Sequence, residues 1–241
     1  MRKRVIEVKG VNKTFKLFNG SIKALDNIDL KVNEGECLVI GGENGSGKSL
    51  LMSIIAGLEE ADSGLVKTGG RVGLVFQEAE TQILGESPKE DIAFGPRNLG
   101  LKKEQLAQRV EASLNKVSLT SKADFPARFL SGGEKRRLAI ACMLSMDTPI
   151  IALDEPYANL DYGGVKQVNE LIKELKKENK TIIILTHEIE KCLALADRFV
   201  VLFRGKKVFD STPQEGLKQN LEEWNIRNPL VTYTSVKDLI W

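Results

Sequence analysis

The sequence is short of the residues that build metal clusters and cross-links. It holds one histidine, His187, and three cysteines, Cys37, Cys142 and Cys192, in 241 residues. The cysteines are scattered with no C-x-x-C pair. That argues against a disulfide framework and a zinc site, and predicts buried free thiols in a reducing compartment. Charge of one sign is missing as well. Against 35 Lys and Arg stand 33 Asp and Glu, a formal net charge of +2, which disfavours a general nucleic-acid binder. No apolar run approaches the roughly 18 residues of a membrane helix, so any work at a membrane requires separate spanning partners. The basic start Met1-Arg2-Lys3-Arg4 leads into alternating residues rather than an apolar signal-peptide core. Internal repeats and low-complexity tracts are absent. Length then favours one large α/β domain, or one carrying an inserted subdomain.

What is present centres on Gly42-Glu43-Asn44-Gly45-Ser46-Gly47-Lys48-Ser49, which fits the phosphate-binding pattern G-x-x-x-x-G-K-[ST]. Glycines at 42, 45 and 47 let backbone N–H groups approach an anion. Lys48 can reach the outer phosphates of a nucleotide, and the Ser49 hydroxyl is a hard ligand suited to Mg²⁺. The apolar run 36–40 before the loop reads as a buried strand, and 50–56 after it as a buried helix closed by Gly57. Strand, loop and helix together aim a helix N-terminus at phosphate.

Further strands are expected at 5–10, 28–32, 63–66, 71–76, 149–153, 181–185 and 199–203. Helices are expected at 103–117, from Ser131 onward, at 165–177 and at 189–196. Between 78 and 96, Gly85, Pro88, Gly95 and Pro96 break the pattern. This alternation predicts a mainly parallel sheet covered on both faces, preceded by a small antiparallel sheet. The expected division is a core of 4–85 and 140–210, a helical insertion of about 86–139, and a short extension of 211–241. Ligands of such sheets sit at the carboxyl ends of strands, where Gln77, Asp154 and His187 fall.

Asp154-Glu155 before Pro156 could form an ordinary acidic turn. Downstream of a phosphate loop, the pair instead fits an aspartate for Mg²⁺ and a glutamate that polarises water. Leu130-Ser131-Gly132-Gly133-Glu134 fits a helix N-cap. However, Lys135, Arg136 and Arg137 are unexpected in a first turn, where the dipole favours acids. Ser131 and its glycines form a second potential anion site. One nucleotide does not need two such sites in a subunit, which suggests that one acts in trans.

Leu130–Glu134 resembles the signature motif of the ABC ATPases. With the phosphate loop, Gln77, Asp154-Glu155, Asn159-Leu160-Asp161 and His187, the resemblance covers about residues 4–210. It implies a P-loop NTPase with a RecA-like core, in a head-to-tail dimer that holds two ATP molecules between phosphate loop and opposing signature. By position, the resemblance makes Gly42 to Ser49 and Leu50 the nucleotide cradle. Lys48 binds the β- and γ-phosphates, and Ser49, Gln77 and Asp154 attend Mg²⁺. Glu155 is the base and His187 the γ-phosphate contact. Asp161 crosses the interface, while Ser131, Gly132 and Gly133 meet the partner's nucleotide. Phe15, with Phe18 the lesser choice, matches the aromatic that stacks on adenine. Leu50 stands where the family often has threonine, Glu134 replaces glutamine, and Phe15 lacks a phenolic hydroxyl. None removes a group needed for the chemistry, so an active ATPase is expected.

Residues 72–77, Gln82-Ile83 and 90–100 look like the ATPase subunits of energy-coupling-factor transporters and their cobalt-uptake relatives. This implies that about 78–100 meets a transmembrane coupling subunit at the cytoplasmic face of the membrane, while a separate membrane subunit selects a vitamin or transition-metal ion. The second ATPase subunit can be identical or different. A non-transport ABC ATPase would call for a coiled-coil insertion, a tandem cassette or a basic face, and a P-loop kinase would lack the signature. The tail after Asp210 is short for the regulatory domain of sugar importers. Trp224, Pro229, Leu230, Val231, Leu239 and Ile240 fit either a dimer contact or a cover for the core.

Overall fold

Apolar residues alternate with polar ones early in the chain and run continuously later. The computed structural model, which describes residues 3–18, 20–231 and 234–235, turns these patterns into two kinds of sheet. Strands β1 (Arg4–Leu17) and β2 (Gly20–Asn33) pair antiparallel and are longer than the apolar pattern suggests. Strand β3 (Cys37–Gly41) feeds helix α1 (Lys48–Ile55), and β4 (Ser63–Thr68) returns to pair with β1. Next come β5 (Val72–Val75), α2 (Pro88–Asn98), α3 (Lys103–Lys116) and α4 (Gly132–Ser145). β6 (Ile150–Asp154), α5 (Tyr162–Lys177), β7 (Thr181–Thr186), β8 (Arg198–Phe203), β9 (Lys206–Ser211) and the short α6 (Pro213–Gly216) complete the order.

The larger sheet has six strands in the order β5-β6-β7-β3-β8-β9. It is parallel except for β9, which pairs antiparallel with β8. Strands β3, β6 and β7 are buried on both faces, which explains their unbroken apolar runs. Cys37, Val39, Ile151, Leu153, Ile182 and Ile184 face one core, while Leu38, Ile40, Ile150, Ala152, Ile183 and Leu185 face the other. Each fully buried isoleucine of β7 contributes about 1.5–3 kcal/mol of hydrophobic stabilisation. α1 and the antiparallel sheet cover the second face through Leu51, Met52, Ile28 and Leu30. The first face packs under α2 to α5, and Ile92, Val110, Leu114 and Ile140 share its core with the strands.

Three segments depart from the sequence reading. Residues 88–98 form a helix despite two prolines. Ser87 caps it by accepting from the Glu90 amide at 3.4 Å, and Pro88 takes the first position, where its missing N–H costs nothing. Pro96 does leave the Ile92 carbonyl without its helical donor, but the Ser145 hydroxyl donates to that carbonyl at 3.0 Å. The helix expected at 189–196 is replaced by two 3-10 turns, Ile189–Lys191 and Leu193–Leu195. Asn169 of α5 donates to the Lys191 carbonyl at 2.7 Å, the acceptor a helix would offer to residue 195, and Lys176 donates to the Leu195 carbonyl at 2.5 Å at the end of the second turn. Strand β9 has only a weak alternation, and its position at the sheet edge comes from a turn at Arg204-Gly205, both with positive φ.

Beyond α6, Trp224 packs over the core, its ring 6.0 Å from Phe209, which in turn lies 5.9 Å from Phe199. Leu230 and Val231 are exposed. Leu239 and Ile240, like Met1 and Arg2, lie outside the described residues.

Candidate active site

Register places the site. In the parallel ladder Gly41 pairs with Thr186, and Asp154 with Leu185. The chain therefore leaves β3, β6 and β7 at one edge, where the phosphate loop, Glu155 and His187 meet. The loop's glycines are required by its path. Gly42 has φ 148°, and a Cβ there would lie 2.2 Å from the Leu202 carbonyl oxygen; Gly47 has φ 102°, and a Cβ would lie 2.9 Å from the Ala24 carbonyl oxygen. No residue with a side chain fits either position without moving backbone.

Lys48 is buried and folded back over its own loop. Its Nζ donates to the Gly42 carbonyl at 2.7 Å and the Glu43 carbonyl at 2.9 Å, and lies 3.8 Å from Glu155 Oε1. Bonds from an ammonium to anionic oxygens would be stronger than these bonds to neutral carbonyls. Burial lowers the Lys48 pKa, against the opposing pull of Glu155 and Asp154. Glu43 points elsewhere and accepts from Asn225 Nδ2 at 2.6 Å. Asn44 and Gly45 are exposed, Ser49 is exposed at the start of α1, and Leu50 packs half-buried against the core.

Asp154 is 6% exposed. Its Oδ1, like the Ser46 hydroxyl, is buried with no hydrogen-bond partner among the described residues. Burial raises the Asp154 pKa; a hydrogen bond with Ser49 opposes this, the Glu155 charge adds to it, and Lys48 and Arg136 oppose it. A carboxylate oxygen without a donor, beside a serine hydroxyl, has the chemistry a hard cation requires. No group of three His, Cys, Asp or Glu among the described residues could hold a metal by itself. A cation here would need ligands beyond Asp154 and Ser49.

Glu155 is buried and held at several points. Oε2 accepts from the Thr186 hydroxyl at 3.0 Å and Oε1 from the His187 amide at 3.1 Å, with His187 Nδ1 2.9 Å from the same oxygen. The His187 ring itself is exposed. Gln77 is exposed at the end of β5, with its carbonyl accepting from Arg136 Nη2 at 2.8 Å. Thus Gly42 to Ser49, Gln77, Asp154, Glu155 and His187 lie around one strand edge.

The other expected residues stand apart. Ser131, Gly132, Gly133 and Asp161 line a separate cleft of about 450 Å³, to which no residue of the phosphate loop contributes. Ser131 and Glu134 form a reciprocal cap: Ser131 Oγ accepts from the Glu134 amide at 3.3 Å and Glu134 Oε2 from the Ser131 amide at 2.9 Å. Asp161 caps α5 by accepting from the Gly164 amide at 2.7 Å. Phe15 is exposed on β1 with the Lys13 ammonium 5.6 Å from its ring centre.

The structure adds residues that sequence reasoning missed. The basic turn after the signature is absorbed by specific partners. Lys135 pairs with Glu80 at 2.7 Å, Arg137 Nε donates to the Val117 carbonyl at 3.0 Å, and Arg136 donates to the carbonyls of Gln77 and Glu155. Three cations set against a helix dipole were the signal that each had business elsewhere. A groove of about 760 Å³ also opens beside Gln77, lined by Glu80, Ile83, Glu90, Asp124, Arg128 and Lys135. The sequence reading placed one wall at 78–100 and missed the other at 124–128.

Among the described residues no helix is long and apolar enough to cross a membrane. The profile of the ABC transporter family matches residues 25–158. The chain is 39% identical over 232 residues to the cobalt import ATP-binding protein CbiO of Rhodobacter capsulatus, covering 89% of this chain and 82% of that protein. It is 38% identical over 231 residues to the energy-coupling factor transporter ATP-binding protein EcfA1 of Clostridium novyi, covering 89% of this chain and 82% of that one. The structure of cbiO1 from Clostridium perfringens, part of the transporter complex cbiONQ, superposes with a TM-score of 0.81 at 30% identity, covering 94% of this chain and 96% of that one. The α/β fold of a P-loop NTPase, the phosphate loop and these likenesses agree: the chain belongs to the ABC transporter ATPase family, as an ATP-binding and ATP-hydrolysing subunit of the energy-coupling-factor and cobalt-import type.

Proposed function

We propose that two such subunits, identical or not, clamp ATP head to tail and drive a transmembrane partner that takes up a vitamin or a transition-metal ion chosen by a separate membrane subunit. The observation that carries this reading is the separation of two anion-binding features in one chain. The phosphate loop lies at the strand edge, and the cleft of Ser131, Gly133 and Asp161 lies away from it. Each completes a site only when a second subunit supplies the other.

In this reading the amides of Gly42 to Ser49 and the Lys48 ammonium hold the β- and γ-phosphates. Ser49, Asp154 and Gln77 would hold Mg²⁺, which when bound neutralises charge on the phosphate oxygens. Glu155 takes the proton of the attacking water, after releasing the Thr186 and His187 bonds that cap its oxygens. His187 turns its exposed ring to the γ-phosphate. Phe15 stacks on adenine. The groove beside Gln77 receives the transmembrane partner, and the protein sits peripherally on the cytoplasmic face of the membrane.

Glu155→Gln tests the reading. With MgATP the variant is expected to sediment as a dimer, while turnover falls by roughly 10²–10⁴-fold, the usual contribution of a general base. Unchanged turnover would refute the base, and a monomer at saturating ATP would refute the shared site.

A further inference from the structure

Glu155 has a backbone that its residue type resists. Its φ is 45°, in the left-handed region that side chains with a Cβ avoid. It also precedes Pro156, which favours an extended neighbour. Such a conformation persists only where the surroundings over-determine it. The Glu155 amide donates to the Leu185 carbonyl at 2.9 Å, and Thr186 and His187 hold its carboxylate. Its carbonyl is held by Arg136 Nη1. The other arm of that guanidinium, Nη2, donates to the Gln77 carbonyl at 2.8 Å. Arg136 is 5% exposed and is the fifth residue of α4, at the start of its second turn. A planar fork with fixed donors sets two acceptors at a defined separation, which a flexible ammonium does not.

We propose that Arg136 is a positioning residue for ATP hydrolysis: it fixes the Glu155 carbonyl against the Gln77 carbonyl and so holds the strained backbone that aims the Glu155 carboxylate. The inference rests on Glu155 as the base. Lys135, one residue earlier, grips Glu80 at 2.7 Å in the groove wall. One rigid turn of helix thus joins the wall of the groove to the backbone of the base. Displacement of residues 77–80 by an occupant of the groove would shift the Gln77 carbonyl, which shares the Arg136 guanidinium with the Glu155 carbonyl.

The test is a double-mutant cycle between Arg136→Met and Glu155→Gln, read as turnover at saturating MgATP and as equilibrium affinity for a fluorescent ATP analogue. Arg136→Met should lower kcat about 10- to 100-fold, the order a small misplacement costs, with affinity within about twofold. Arg136→Lys, which keeps the charge but not the fork, should recover part of the loss, and supplies the cycle if the methionine variant does not fold. In the Glu155→Gln background either change should alter the residual rate less than about twofold, because the group being aimed is gone. An equal fold-loss in both backgrounds, or a loss of affinity matching the loss of kcat, would overturn the proposal while leaving the base in place. Full turnover in Glu155→Gln alone would instead remove the base itself, and the positioning role with it.

Discussion

Asp154→Asn should make the protein more stable while impairing the chemistry. The variant keeps the shape of the side chain and removes its charge. Asp154 is 6% exposed and its Oδ1 has no hydrogen-bond partner among the described residues. Asparagine still places a polar atom there, so only the charge is relieved, and a fold that raises a carboxyl pKa penalises the ionised form by about 1.4 kcal/mol for each unit. Burial sets that penalty; the Ser49 hydrogen bond, and then Lys48 and Arg136, reduce it, while the Glu155 charge adds to it. The expected net gain is therefore on the order of 1 kcal/mol. For a chain of this size that raises Tm by roughly 2–4 °C without nucleotide.

The pH dependence follows in sign. Burial raises the folded pKa of Asp154 above its ordinary value of 3.8. Between the two values the folded state binds more protons than the unfolded state, so wild-type stability falls as pH rises. The advantage of Asp154→Asn is full at neutral pH, shrinks as pH drops through the folded pKa, and vanishes below 3.8. Differential scanning calorimetry across pH, without nucleotide, measures it. With MgATP the order should reverse, because ligand binding adds RT ln(1 + [L]/Kd) to the protein that binds it better. A variant less stable than wild type at neutral pH without nucleotide would refute the reasoning. It would show that attraction to Lys48 and Arg136 outweighs desolvation.

Two further outcomes are expected. Ser145→Ala removes the hydroxyl that serves the Ile92 carbonyl above Pro96, and should cost about 1–2 kcal/mol by chemical denaturation with ATP affinity unchanged. Glu134→Gln keeps the amide contact to Ser131 but loses the ion pair with Lys122 at 2.5 Å, worth about 0.5 kcal/mol once solvent screening is counted. Burial raises the Glu134 pKa, but Lys122 and Ser131 outweigh it and hold the carboxyl below its ordinary 4.5. The deficit of the variant should therefore be full above 4.5 and close as pH falls through the folded pKa.

The strands and the strand-edge residues were legible in the sequence because a two-sided parallel sheet writes itself as unbroken runs such as Ile182-Ile183-Ile184. Punctuation was harder. Pro88 and Pro96 look like breakers, yet one starts α2 and the other is tolerated because Ser145, 49 positions later, replaces a bond. Asn169 likewise takes, from another element, a carbonyl that a helix at 189–196 would use. Local pattern holds no record of such distant donors. Arg136 hid for the same reason: a base near a helix N-terminus looks misplaced until the carbonyls of Gln77 and Glu155 are seen on either side of its fork.

The stack of Phe199, Phe209 and Trp224 has an optical consequence. Trp224 is one of two tryptophans in the chain, and Phe199, at the far end of the stack, sits where a Cβ on Gly41 would lie 2.8 Å from its ring. The next residue, Asn225, grips Glu43 of the phosphate loop. An indole whose fluorescence depends on its surroundings is thus joined from both sides to the loop that receives phosphate. Emission from Trp224 is therefore expected to change when nucleotide arrives, which a titration with MgATP and no added dye would read.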